Sequence, residues 1–223
     1  LLSSLLLPTQ KAESKRIFND VSTNHFAYDA MKWAYDFNIV SGYADGTFRP
    51  NQTETEQQFA QLLVSYFDLE PVVDELTKFS KNEISSDANY NTLAAYQVPL
   101  NGYFDNPIRG AAIKRGTVAQ ALAYLLNNDT ALNPSIRFLM NHDISNGQNP
   151  KYENTNIQRF FGTTNNLTRA QLVTFFYKLQ AKSFFYLSPN AENSFENVEA
   201  FTLNKRANLA RNTLDKSLRK GSN

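Results

Sequence analysis

Glu56, Arg115 and Arg169 each stand at a predicted helix start, the first and last directly after a threonine suited to capping it, and each precedes an apolar stripe of helical spacing. The free N–H groups of a helix N-terminus attract anions. A guanidinium there adds a planar fork that fits a carboxylate. An arginine at a partly positive helix end costs roughly a few tenths of a kcal/mol. On these grounds Arg115 and Arg169 read either as anion-binding groups or as solvated surface arginines. Glu56 suits the helix dipole and would repel an anion.

Other chemistry is thin. His25 and His142 have no metal-ligand partner at a recognised spacing and read as structural or capping groups. Asp45-Gly46 marks a turn, because the further acidic ligands of a calcium loop are missing. Glu54 and Glu56 read as a solvated helix end. No nucleophile motif or phosphate loop occurs. The chain has no cysteine, which excludes disulfides, thiolate metal sites and cysteine nucleophiles.

The elements that would position these charges recur three times. Three residues after each helix start stand Phe59, Val118 and Leu172. Further on come Leu62, Leu63 and Tyr66, then Ala121, Leu122 and Leu125, then Phe175, Phe176 and Leu179. One register of i, i+3, i+4, i+7 in all three copies predicts three amphipathic helices sharing one core. Thr55 with Gln58, and Thr168 with Gln171, have capping-box spacing; Lys114 and Thr117 do not.

Upstream of each helix stands a glycine, Gly42, Gly102 or Gly147, expected just past a helix end; positive φ is expected at Gly42 and Gly147. The stretch from Gly147 to Arg169 is longer than its counterparts, which places an insertion between Gln148 and Asn166. Ahead of the glycines lie shorter helix candidates. In "HFAYDAMKWAYDFNIV" Phe26, Ala30, Trp33 and Phe37 form one stripe, with Ala27, Met31 and Ala34 beside it. "YNTLAAYQV" and "PSIRFLMNHDI" are its counterparts, and "EPVVDELTKFSKN" reads as an additional helix.

Hydrophobic residues make up 42% and aromatic residues 13% of the chain, a globular composition. The net charge of +1 gives no general case for nucleic-acid binding. "NKRANLAR" and "KSLRK" in the tail read as a solvated face. No apolar run reaches membrane-spanning length. Residues 1–14 resemble the end of a secretory signal peptide, the alternative being a buried N-terminal segment. Residues 188–223 read as a helical tail or linker.

The segment "FNDVSTNHFAYDAMKWAYDFNIVSGYADGTFRPNQTETEQQFAQLL" resembles an S-layer homology module. That family's motif runs F-x-D-V, H-W-A, G-I-I-x-G-Y-x-D-G-T-F-x-P-N and I-T-R-A-E-F-A. Phe18, Asp20, Val21, His25, Ala27, Gly42, Tyr43, Asp45, Gly46, Thr47, Phe48, Pro50, Asn51, Thr55, Phe59 and Ala60 match it. "NGY" with "IKRGTVAQAL", and "ISNG" with "LTRAQLV", are more diverged copies. The resemblance implies modules at 15–70, 71–128 and 129–187. It also implies a mainly α fold: three helix-loop-helix repeats in a pseudo-threefold prism around a central three-helix bundle.

The resemblance further implies a non-catalytic anchor without cofactor or metal, secreted to the cell wall of a Gram-positive bacterium. Its partner would be an anionic, pyruvylated wall polysaccharide held in grooves between modules, with S-layer or other surface proteins as further partners. Arg115 and Arg169 match the arginine of T-R-A-E, where Glu56 departs; Asp20, Phe26, Gly42, Gly102 and Gly147 complete the expected ligand-binding set. Phe26 stands in place of the motif's tryptophan, keeping a stacking face without the indole donor. The alternatives are a protein–protein scaffold that has lost part of its glycan binding, and the anchor of a catalytic domain beyond residue 223.

Overall fold

The computed structural model describes residues 17–70 and 88–188. The signal-like start, most of the helix expected in "EPVVDELTKFSKN" and nearly all of the tail lie outside the described residues. The described chain is mainly helical. Its helices are α1 (Tyr28–Asp36), α2 (Glu56–Phe67), α3 (Ala88–Ala95), α4 (Asn106–Gly110), α5 (Arg115–Asn127), α6 (Leu132–Asn141), α7 (Ile157–Phe161) and α8 (Arg169–Ala181).

The helices α2, α5 and α8 begin at the three expected positions. Thr55 and Thr168 each close a full capping box with Gln58 and Gln171. Lys114 makes no side-chain cap. Phe59, Leu63, Val118, Leu122, Leu172 and Phe176 are buried together in one core, as the threefold stripe predicts. Each first helix packs on the second helix of the preceding copy: α1 on α8, α3 on α2, and α6 on α5.

Before each helix start the chain is extended, and the three extended segments pair in a closed ring. Glu54 N–H donates to Leu167 O, Leu167 N–H to Ile113 O, and Ile113 N–H to Glu54 O, at 3.0, 3.2 and 2.9 Å. Outside that ring, Thr55 bridges Ala112, Lys114 bridges Asn166, and Thr168 bridges Thr53. These bonds satisfy backbone groups that burial would otherwise leave unpaired. They also place the three helix starts in equivalent positions around the ring.

Three expectations are corrected. Gly42 and Gly147 do not have positive φ. The left-handed turns fall earlier, on Asn38, Gln97 and Asp143, with φ of 56°, 55° and 55°. The glycines are required for close approach instead: a Cβ on Gly147 would lie 2.1 Å from Phe160 Cε2, and one on Gly42 2.7 Å from Phe18 Cε1. In α1 the buried face is Ala30, Met31 and Ala34, joined by Ala27, while Phe26 and Phe37 are exposed. The small side chains lie against Ala170 and Val173 of α8, where a phenylalanine stripe would hold the helices apart. Glu54 and Glu56 do not form a solvated helix end; both are buried.

Candidate functional site

Each helix-start side chain reaches into the turn of the next copy. Arg169 Nη1 donates to Glu54 Oε1 at 3.1 Å, and Nη2 donates to the Ser41 carbonyl. Its guanidinium also lies 4.6 Å from the Phe48 ring centre and 5.3 Å from that of Tyr43. Arg115 donates through Nε to Phe161 O at 2.9 Å, and through Nη2 to Asn146 O at 2.8 Å and to Ser145 Oγ. Glu56 accepts from Gly102 N–H at 2.6 Å, from Asn101 N–H at 3.2 Å and from the Tyr90 hydroxyl at 3.1 Å.

The opposite charges follow the backbone group each turn presents. The turns of copies one and three offer a carbonyl, so an arginine fits. The turn of copy two offers N–H groups, so a carboxylate fits. That turn runs from Gln97 to Gly102, one residue longer than Asn38 to Gly42 or Asp143 to Gly147. Copy two also packs a buried arginine against the turn: Arg109 of α4 donates to Gly102 O at 2.5 Å and Tyr103 O at 2.8 Å, and covers the Tyr90 ring. The helix-start comparison missed Arg109. Its signal was the cap: Asp105 accepts from Ile108 N–H, which starts α4 and delivers Arg109 to Gly102.

The three positions differ in what is left over for a ligand. Arg115 is 5% exposed, and burial lowers its pKa to about 10. Glu56 is 3% exposed and enclosed by donors. The Arg169 side chain is 12% exposed and lines a cavity of about 320 Å³ with Ser41, Glu54, Gln58, Gln61 and Ser65. Arg169 Nε and Glu54 Oε2 there are buried without any hydrogen-bond partner in the protein. Burial raises the Glu54 pKa, an effect the Arg169 charge partly offsets.

The remaining expected residues take distinct places. Asp20 accepts from Phe48 and Arg49 N–H at 2.7 and 2.8 Å, clamping the turn after Gly46. Gly46 has φ 78° and Asp45 caps Thr47, so Asp45-Gly46 is a turn. Phe26 is 73% exposed and stacks on His25, whose Nδ1 accepts from Ala27 N–H. His142 bonds the Phe138 carbonyl. Among the described residues no three His, Asp or Glu groups cluster to hold a metal, and no helix is long and apolar enough to cross a membrane.

Over 75 residues the chain is 33% identical to cell surface glycoprotein 1 of Acetivibrio thermocellus, covering 34% of this chain and 3% of that protein. Over 103 residues it is 29% identical to a cellulosome-anchoring protein of the same organism, covering 44% of this chain and 23% of that protein. The chain thus spans under a quarter of the length of either relative. The family model for the S-layer homology domain matches residues 17–60, the stretch holding Asp20, Gly42, the Asp45 turn and Glu54. Residues 17–60 of this chain are thus similar to S-layer homology domains.

Proposed function

We propose that the chain is a non-catalytic anchoring module that binds an anionic, pyruvylated wall polysaccharide and holds its protein at the cell surface. The domain match and the likeness to a cellulosome-anchoring protein support anchoring. The observation that carries the ligand class is Arg169, a guanidinium held by Glu54 and the Ser41 carbonyl whose side chain stays 12% exposed and lines an open groove. A ketal carboxylate fits a guanidinium in such a wall. In this reading Arg169 is the anion contact, with Gly42 keeping the turn close. Arg115, Glu56, Gly102 and Gly147 hold the other two turns in place, Asp20 braces the loop, and Phe26 offers an exposed stacking face.

The test is sedimentation of the purified chain with wall sacculi, before and after extraction of the acidic polymer. Arg169→Ala alone would strand the buried Glu54 carboxylate, so Arg169→Gln is compared within Glu54→Gln. Loss of one charge-assisted contact should weaken binding roughly ten- to a hundredfold. Binding that survives both extraction and Arg169→Gln would overturn the glycan reading in favour of a protein–protein scaffold.

A further inference from the structure

The insertion between Gly147 and Arg169 builds two neighbouring cavities, of about 560 and 480 Å³, that share Asn156 and Gln158 in their walls. Neither touches Arg169 or the cavity beside it. Side-chain amides and threonine hydroxyls are the commonest groups in their linings, beside Arg137, Glu153 and Arg159 and apolar surface from Phe160 and Tyr152. Two arginines and one glutamate make no cationic track of the kind nucleic acid needs.

The amides are locked in pairs. Gln158 Nε2 donates to Asn133 Oδ1 at 2.8 Å, and Asn165 Nδ2 donates to Gln148 Oε1 at 2.8 Å. Each pair thereby keeps one free carbonyl oxygen and one free NH₂ group, at fixed orientation. A vicinal diol, which both donates and accepts, is complementary to such a couple. Gly162 secures the second pair: its φ is 77°, and a Cβ there would lie 2.7 Å from Asn165 Nδ2 and 2.8 Å from Gln148 Oε1. The pair can lie against the backbone only because the residue is glycine.

We propose that this double cleft is a second carbohydrate site that binds an uncharged stretch of pyranose polysaccharide through the Asn133–Gln158 and Gln148–Asn165 amide pairs. It deepens the anchoring reading, on which it rests only for the ligand being a polysaccharide. Acidic groups of the polymer are read at Arg169, and neutral sugar units at the insertion.

The experiment follows side-chain amide resonances of the ¹⁵N-labelled full chain. The probes are chitotriose, maltotriose and wall polymer chemically stripped of its acidic groups. Saturable shifts of the Gln148, Gln158 and Asn165 NH₂ signals with at least one probe are expected. They should persist in Glu54→Gln/Arg169→Gln and weaken about tenfold in Gln158→Ala/Asn165→Ala. An unchanged backbone spectrum for that last variant shows that the fold is intact; Gln158→Glu/Asn165→Asp, which keeps size and removes donors, gives the same loss if the first variant unfolds. Absence of saturable shifts with all three probes overturns the proposal, as does binding unaffected by either double variant. Shifts here without wall binding would instead remove the anchoring reading and leave this site standing.

Discussion

Glu54 accepts a hydrogen bond from Arg169 at 3.1 Å inside the ring where its structural equivalents are Ile113 and Leu167. Both equivalents are buried apolar side chains. The family motif also has an apolar residue before its T-R-A-E threonine. Copy one has therefore placed a carboxylate at an apolar position, and that carboxylate occupies one edge of the guanidinium assigned to ligand binding.

Glu54→Ile should restore the apolar ring. It also leaves the Arg169 charge without its buried partner, and breaking a fully buried pair costs about 3–5 kcal/mol. The Arg169 side chain keeps 12% exposure, so urea denaturation should show a smaller loss, about 1–3 kcal/mol. Binding of acidic wall polymer should tighten several-fold, roughly, because Arg169 no longer shares its charge. Weakened binding by the folded variant would show that Glu54 positions Arg169 rather than competes for it.

Glu54 also predicts a pH dependence. Its folded pKa is raised above the ordinary value of 4.5, chiefly by burial. The folded state then holds the proton to higher pH than the unfolded state. This contribution to stability is complete below the ordinary value and is lost as pH rises through the folded value. The difference in thermal midpoint between the parent and Glu54→Gln, measured from about pH 4 to about pH 7, should change in that sense. A flat difference would mean that Arg169 cancels the burial effect.

Arg115 and Glu56 should prove to be stability residues. Arg115→Ala leaves Phe161 O, Asn146 O and Ser145 Oγ without their donor, and Glu56→Ala leaves the Gly102 and Asn101 amides without their acceptor. Each should cost about 2–4 kcal/mol in chemical denaturation. Arg115→Lys should recover little, since an ammonium cannot span the same fork. A cost within about 0.5 kcal/mol for either alanine variant would place that side chain on the surface.

Gly147→Ala should destabilise by about 1–3 kcal/mol, because the new methyl meets the Phe160 ring. Combining it with Phe160→Ala should cost less than the sum of the two single changes. Additive losses in that cycle would show that the backbone, and not the ring, resists the methyl.

The sequence by itself determined the three long helices, their starts, the two capping boxes, the shared core and the insertion. These depend on local spacing and on one face of each helix, which survive in a linear reading. Tertiary structure alone decided what each charge does. Glu54, Glu56, Arg109 and Arg115 are of charged types that usually lie at the surface, and tertiary packing buries all four. Partners such as Gly102 for Glu56 and Asn146 for Arg115 lie dozens of residues away. The glycine geometry was equally out of reach, because a close approach depends on the neighbour and not on the residue's own φ. Arg169 stays partly exposed because the first and third copies meet beside an open groove, a consequence of closing the ring that no single copy encodes.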